Sequence, residues 1–336
     1  MKFALIGCGH WGQNYIKTFQ SIEGVELNLV YDIDKERVLK LKEKFSNIEV
    51  VEDVVDIWKD KSVEAVIIAT PAYTHYSIGR TALSFEKHVL MEKPLALEAQ
   101  QAVDLVLFAR RMQKVLMPGH IFEHNDAVKK IKEIIASKEL GDIYYLYSQR
   151  LNLGPIRNDV NAVWDLALHD VSVFNFILGS VPISVSSKEL CCLRGNISDV
   201  GFIMLTYLGG ISAHIHISWL DPRKIRYITI VGSKKMLVFN DLDYINPIAL
   251  YDRSVAIEAH QRRIENMEYN MIVTDGEIDI PKINMREPLF VECLEFVQQI
   301  QDKKQNEEYV LRGVDCVRIM QAANLSQKFF GKEVKI

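Results

Sequence analysis

Two groups of residues in this chain have the types and spacing to move protons. One is Glu92-Lys93-Pro94, a lysine fixed between a carboxylate and a proline. The other is Asp165 and His169, four positions apart in Trp164-Asp165-Leu166-Ala167-Leu168-His169-Asp170. A lysine ammonium can hydrogen-bond a reacting hydroxyl and stabilise negative charge developing on its oxygen. Histidine titrates near neutrality, which suits a general acid or base. On a helix, a spacing of four puts Asp165 and His169 on one face. The carboxylate can then hold the imidazole or the lysine. Asp170, one step further round, would orient or cap instead.

A third group binds rather than reacts. Gly7-Cys8-Gly9-His10-Trp11-Gly12 has the spacing G-x-G-x-x-G directly after the apolar run Lys2 to Ile6. The first glycine of such a loop allows a tight turn and the second lets a pyrophosphate approach the backbone. The third lets a helix pack closely on the strand, its N-terminus facing the phosphates. Asp32 closes the second apolar run, where an acid accepts hydrogen bonds from ribose hydroxyls and repels a 2′-phosphate. The reading is a dinucleotide site that favours NAD over NADP. His10 and Trp11 fill the variable positions of the turn, and Arg37 is read as a surface helix residue.

These groups need a scaffold. Strand-like and helical signals alternate over about the first 120 residues, as in a parallel sheet covered on both faces. Strands are expected at 3–6, 27–31, 65–69, 88–91 and 115–117, with helices after residue 12 and over 37–45, 76–85 and 99–112. Ligands of such sheets bind beyond the carboxyl ends of the strands. Thr70-Pro71 and Glu92-Lys93-Pro94 fall at such ends. Thr70 and Pro71 should line the nicotinamide side, with His75 and Glu92 assigned to the cofactor beside them. Pro94, through a cis bond, should aim Lys93 into the cleft.

Pro118-Gly119 ends the alternation, so the domains are drawn as 1–121 and 122–336. A helix over 127–137 comes next. Longer alternating runs follow at 143–151, 184–190, 201–207, 211–218 and 225–231, the pattern of an open, largely antiparallel sheet. Helices are expected near 288–300 and 314–329. The fold class is therefore α/β: a doubly wound parallel sheet joined to an α+β domain. In the 211–218 run, Ile211, Ala213, Ile215 and Ile217 alternate with Ser212, His214 and His216. One row must meet a helix or the cleft, and the other a second subunit, because an apolar row left in water is a large exposed patch.

Composition narrows the class. With 336 residues, 49% of them hydrophobic, 25% charged and a net charge of −4, the chain has ample core and no nucleic-acid footprint. The five cysteines, at 8, 191, 192, 293 and 316, form no C-x-x-C pair, which suggests neither a disulfide framework nor a zinc ribbon. No apolar run has membrane-spanning length, and the apolar start is too short for a signal peptide, so a cytoplasmic protein is expected. His120-Ile121-Phe122-Glu123-His124 spells H-x-x-E-H, but that motif needs a continuous helix, and Pro118-Gly119 stands directly before it. No metal is expected. Glu123 and Asn125 are read as cleft-lining substrate contacts. His214 and His216 lack a third ligand and are read as sheet-face residues.

Together, the glycine loop, Glu92-Lys93-Pro94 and the Asp165/His169 pair resemble the Gfo/Idh/MocA family of NAD(P)-dependent sugar and polyol oxidoreductases, over essentially the whole chain. The resemblance implies that Lys93 is the active-site lysine and His169 the catalytic acid/base of a D-x-x-x-H element that includes Asp165. One departure is Asn161-Ala162-Val163-Trp164, where many relatives carry glycines. Three stretches, 148–157, 164–170 and 218–224, look like members associated with nucleotide-sugar and surface-polysaccharide pathways. Arg150 or Arg157 would then meet a diphosphate, although either could equally form a surface ion pair. Trp164, with Lys93, Asp165 and His169, completes the expected substrate contacts.

The leading expectation is oxidation of a sugar hydroxyl by NAD, at carbon 3 of a UDP-linked N-acetylated sugar. The alternatives are a free polyol or sugar, such as an inositol, or reduction of a keto-sugar. Two further alternatives are an NAD-dependent glycoside hydrolase and a ligand-sensing relative without activity. Family sheets of this kind pack face to face, so a homodimer or homotetramer is expected.

Overall fold

Phe3, Ala4, Leu5, Val66 and Ile67 have no accessible surface, as strands covered on both faces require. The computed structural model describes residues 1–154, 156–157, 160–257 and 271–336. In chain order it begins with β1 (Lys2–Ile6), α1 (His10–Phe19), β2 (Glu26–Tyr31), α2 (Lys35–Lys44), β3 (Glu49–Val50) and α3 (Val54–Lys59). Then come β4 (Val63–Ile68), α4 (His75–Ser84), β5 (His88–Glu92), α5 (Ala99–Met112) and β6 (Leu116–Gly119). Every strand pairing in this sheet is parallel, and the order is β3-β2-β1-β4-β5-β6. The order reverses between β1 and β4, and their carboxyl ends open the crevice where such sheets take ligands. Asp34 and Asp53 cap α2 and α3 by accepting the N–H of Arg37 and Val55.

Next come α6 (Asp126–Ala136), β7 (Ile143–Leu153), a π-helical turn at Val163–Ala167 and α7 (Leu168–Leu178). The strands β8 (Ser184–Leu190), β9 (Val200–Thr206), β10 (Ser212–Ser218), β11 (Leu220–Gly232), β12 (Met236–Asn240), β13 (Ile248–Ile257) and β14 (Met271–Asp279) follow. The chain closes with α8 (Pro288–Gln301), α9 (Glu307–Lys328) and β15 (Val334–Lys335). Within the described residues the second sheet runs β14-β13-β12-β11-β7-β10-β9-β8-β15. Only β7 and β10 pair in parallel there; the other neighbours are antiparallel. The two architectures expected from the sequence, a Rossmann sheet and an open, largely antiparallel one, are both present. On β10 the row Ala213, Ile215 and Ile217 is fully buried, while Ser212, His214 and His216 are half-exposed.

The chain divides into two units, Met1–Asn125 with Arg286–Gln321, and Asp126–Met285 with Ala322–Ile336. The sequence division at 121/122 therefore differs from the structure after residue 285, where the chain returns to the first unit. The reason lies in α8. Its Leu289, Cys293, Phe296, Val297 and Ile300 join the core of Phe3, Leu5, Tyr15 and Phe19. The Phe296 ring meets Phe3 edge-on at 5.8 Å. Leaving this apolar face in water would cost roughly 25 cal/mol per Å². Among the described residues, no helix is long and apolar enough to cross a membrane.

Candidate active site

In the first unit the three glycines have three different surroundings. Gly7 adopts φ +97°, and a Cβ there would lie 2.6 Å from the backbone of Ala69. A Cβ on Gly12 would lie 2.1 Å from the carbonyl oxygen of Gly7. A Cβ on Gly9 would meet nothing within 4 Å. The first and third glycines are thus required by the protein's own packing, and the second faces open space. No side chain caps α1 and no acid sits in its first turn, so its N–H groups remain suited to an anion. His10 is exposed and Trp11 half-buried at this end.

Asp32 is tied into the glycine loop by a hydrogen bond of its own. Its Oδ2 accepts the N–H of Cys8 at 2.7 Å, and its Oδ1 accepts that of Asp34 at 2.9 Å. The carboxylate thereby ties the end of β2 to the glycine loop. Arg37 reaches back with Nη1 at 3.3 Å from Asp32 and Nη2 at 3.4 Å from Asp34. It is half-exposed as a surface helix residue should be, yet its charge is directed at the acid. The empty side of Gly9, the uncapped helix end and the acid at the end of β2 together fit a dinucleotide.

The carboxyl ends of β4 and β5 carry Thr70-Pro71 and Glu92-Lys93-Pro94. The Lys93–Pro94 peptide is cis, as the sequence suggested, and Lys93 is half-buried. His75 has a different place from the cofactor contact expected of it. Its ring is 1% exposed, with Nδ1 2.7 Å from the carbonyl oxygen of Pro94 and Nε2 2.9 Å from that of Thr70. It joins the two loops from beneath. Glu92 is also turned inward: its Oε1 accepts the Tyr15 hydroxyl at 2.9 Å, and its Oε2 accepts the Lys93 N–H at 3.2 Å.

The H-x-x-E-H segment is no zinc helix. Ile121–His124 is a single 3-10 turn. Glu123, read from sequence as a substrate contact, is 2% exposed and pairs with Arg312 at 2.8 Å. An acid surrounded by core on a short turn finds its partner inside. Asn125 is 5% exposed. Tyr309 donates to the carbonyl of Pro118 at 2.8 Å and lies 3.0 Å from Nε2 of His124. His120 is buried, and burial, with Arg312, Lys93 and His124 nearby, pushes it down to about 3. It is neutral at ordinary pH. Among the described residues, no cluster of three or more histidine, cysteine or acidic groups could hold a metal ion.

In the second unit, Asn161 opens the acid–base segment. Its Oδ1 accepts the Trp164 N–H at 2.9 Å, capping the turn. Residues 161, 165, 166 and 169 are half-buried, whereas 162–164, 167, 168 and 170 are buried. Asp165 and His169 therefore share the accessible side, although Asp165 sits in a π-helical turn rather than in α7. Trp164 is 6% exposed and donates Nε1–H to Asn324 at 3.2 Å, so its indole is mostly a packing element.

The two arginines differ. Arg150, 7% exposed, forms a two-toothed pair with Asp170, Nε to Oδ2 at 3.1 Å and Nη2 to Oδ1 at 2.9 Å. This is an ion pair, but a buried one and not the surface pair offered as the alternative, and it also accounts for Asp170. Arg157 donates Nη1–H to Asp165 at 3.0 Å and is about one-third exposed. Pro155, in the same stretch, lies outside the described residues.

Residues 1–120 match the family model described as the oxidoreductase family with an NAD-binding Rossmann fold, and residues 128–238 match the Gfo/Idh/MocA C-terminal domain. The chain belongs to the Gfo/Idh/MocA family. It is an NAD-dependent oxidoreductase, as the glycine loop and Asp32 already indicate. Among curated proteins it is 24% identical over 252 residues to a UDP-N-acetylglucosamine 3-dehydrogenase of Acidithiobacillus ferrooxidans, covering 73% of this chain and 75% of that one. It is 22% identical over 315 residues to a 2,7-anhydro-N-acetylneuraminate hydratase of Escherichia coli, covering 88% and 83%. Among solved structures, GenD2 from gentamicin A biosynthesis, in complex with NAD, superposes with a TM-score of 0.83 at 20% identity over 100% of this chain and 96% of that one.

Proposed function

We propose that the protein oxidises a hydroxyl of a sugar, most specifically carbon 3 of a UDP-linked N-acetylated sugar. The observation that carries this reading is the placing of the Lys93 turn at the end of β5. It lies on the same carboxyl edge of the parallel sheet as the glycine loop at the end of β1. NAD, when bound, accepts the hydride. Lys93 hydrogen-bonds the reacting hydroxyl and stabilises the developing alkoxide, and His169 takes its proton. Asp165, on the accessible side with His169, orients that imidazole. Of the two arginines, Arg157 is the better candidate for a diphosphate, since Arg150 is held inside by Asp170. The similarity to a UDP-N-acetylglucosamine 3-dehydrogenase supports the choice of sugar. The similarity to a hydratase of an N-acetylated sugar keeps a second reading, in which oxidation is transient and the net reaction is not a dehydrogenation.

The test is incubation with NAD and UDP-N-acetylglucosamine, followed by NADH absorbance and product mass. NADH and a product two hydrogens lighter are expected. Turnover of inositols or other free sugars alone would overturn the UDP-sugar reading. Product formation with no net NADH would favour the hydratase-like one. Lys93→Ala and His169→Ala should each lower turnover by about 10²-fold or more while retaining NAD. Near-normal turnover in either variant would remove that residue from the mechanism.

We further propose that the outer face of the second sheet joins two copies of the chain. It carries Phe202 stacked on His216 at 4.5 Å and Tyr145 stacked on Tyr147 at 6.5 Å, with Met204 and Tyr227 also exposed. A dimer or tetramer of closed symmetry is expected. A monomeric mass by light scattering at micromolar concentration would exclude it.

A further inference from the structure

A single phenolic hydroxyl in the first unit lies between two carboxyl groups. Tyr15, on α1 and without accessible surface, has its Oη 2.9 Å from Oε1 of Glu92 and 3.3 Å from Oε2 of Glu292. Glu292, on α8, has no accessible surface either, and its Oε1 has no hydrogen-bond partner among the described residues. A phenol has one hydrogen to give. With both carboxyls ionised, one would receive that hydrogen and the other would face a lone pair across a buried contact. A second hydrogen must therefore lie in the trio. Glu92 is the carboxyl that accepts twice, from Tyr15 and from the Lys93 N–H, so the extra hydrogen belongs on Glu292.

We propose that Glu292 is a protonated positioning residue for the lysine turn. Its carboxylic O–H donates to Tyr15, the Tyr15 O–H donates to Glu92, and the Glu92 carboxylate accepts the Lys93 N–H. The chain of bonds runs from the interior of α8 to the residue read above as the active-site lysine, and its functional half rests on that reading. Three features agree with it. Tyr15 meets Glu292 directly, and the acids that act on it are Glu92, Glu295 and Glu123. The cationic and imidazole groups nearby are already taken, Arg312 by Glu123 and His124 by Glu295, and none forms an ion pair with Glu292 among the described residues. Burial first, and then the charge of Glu92, pushes Glu292 well above the usual carboxylate range. Finally, a neutral acid leaves only Glu92 charged in the trio beneath Lys93, so the turn rests on one carboxylate rather than two repelling ones.

The test begins with thermal melts of the wild type, Glu292→Gln and Tyr15→Phe from pH 5 to pH 8. In the unfolded chain a glutamate ionises near pH ~4.3. A Glu292 that stays protonated in the fold must lose its proton on unfolding throughout this range. Its contribution is fully present below that pH and declines as pH rises toward the folded value. The amide of Glu292→Gln keeps a donor to Tyr15 and has no proton to lose. The melting temperature of Glu292→Gln minus that of the wild type should rise steadily from pH 5 to pH 8. A constant difference would mean that Glu292 is ionised in the fold and would overturn the proposal.

The functional half is read with NAD and UDP-N-acetylglucosamine. Tyr15→Phe should lower kcat about tenfold or more with KM little changed, the pattern of a displaced group rather than a lost binding contact. Glu292→Gln should restore most of the kcat lost in Glu292→Ala. Unchanged kcat in Tyr15→Phe would overturn the positioning role. The melts need no substrate, so failure of the sugar reading would leave the protonation of Glu292 decidable.

Discussion

Nδ1 of His75 lies 2.7 Å from the carbonyl oxygen of Pro94, and its other ring nitrogen lies 2.9 Å from that of Thr70. One buried side chain therefore sets the spacing of the loops that end β4 and β5. His75→Ala would take the ring from between them, and the carbonyl that accepts its single N–H would lose that donor at a cost of about 1–3 kcal/mol. Urea melts should show that drop, while NAD affinity falls less than the stability implies. A variant with unchanged stability and greatly weakened NAD binding would make His75 a cofactor contact after all.

The glycine loop gives a contrast within one motif. Gly9→Ala puts a methyl into open space and should fold normally but weaken NAD by about tenfold or more, because the pyrophosphate needs that approach. Gly12→Ala drives a methyl into the carbonyl of Gly7 and should cost about 1–3 kcal/mol of stability by overpacking. Melts and NAD titrations on the two variants separate these effects. Equal behaviour of the two would show that the loop does not hold the phosphates.

Asp32 holds Arg37 as well as the glycine loop. Asp32→Ala removes the repulsion toward a 2′-phosphate and frees the guanidinium that the acid now holds. Fluorescence titration should show NAD binding weakened and the NAD-to-NADP preference moved by about tenfold or more toward NADP, which corresponds to ~1.4 kcal/mol. An unchanged preference would mean that neither residue reads the ribose.

His120 has its pKa lowered to about 3 in the fold by burial first, then by Arg312, Lys93 and His124. Unfolded histidine takes up its proton near pH ~6.5. The stability His120 gives by staying neutral is present above that value. It is lost as pH falls, by roughly 1.4 kcal/mol per unit at most, until the folded group also titrates. His120→Gln should therefore lose less stability than the wild type between pH 6.5 and pH 4 in denaturant melts. Parallel losses would show that His120 carries its proton in the fold.

Much of the scaffold was legible because its signals are local. The buried run of β1, the glycines after it and Asp32 closing β2 all lie within one stretch, and the close packing of Gly7 and Gly12 follows from their spacing alone. The carboxylates and cations were harder. Glu92, Glu123 and Arg150 are charged residues near the expected cleft, and nothing in their types distinguishes a ligand contact from an internal partner. The partners, Tyr15, Arg312 and Asp170, lie 77, 189 and 20 positions away in sequence. Glu292 leaves one trace in the sequence: it stands on the apolar face of α8, three residues after Leu289 and four before Phe296. The return of α8 to the first sheet could not be read from its periodicity, which fixes the face that is buried but not what it is buried against.

That return has a consequence for how the protein comes into being. When Asn125 leaves the ribosome, the Rossmann sheet still lacks Phe296, Val297 and the rest of the helix that completes its core. All of Asp126–Met285 must be translated first. The nascent cofactor domain spends that interval with an apolar seam open to solvent, where chaperones can recognise it. A gene fragment ending at residue 125 would yield an aggregating polypeptide rather than an independent NAD-binding module, because the first unit's core closes only after α8 has been made.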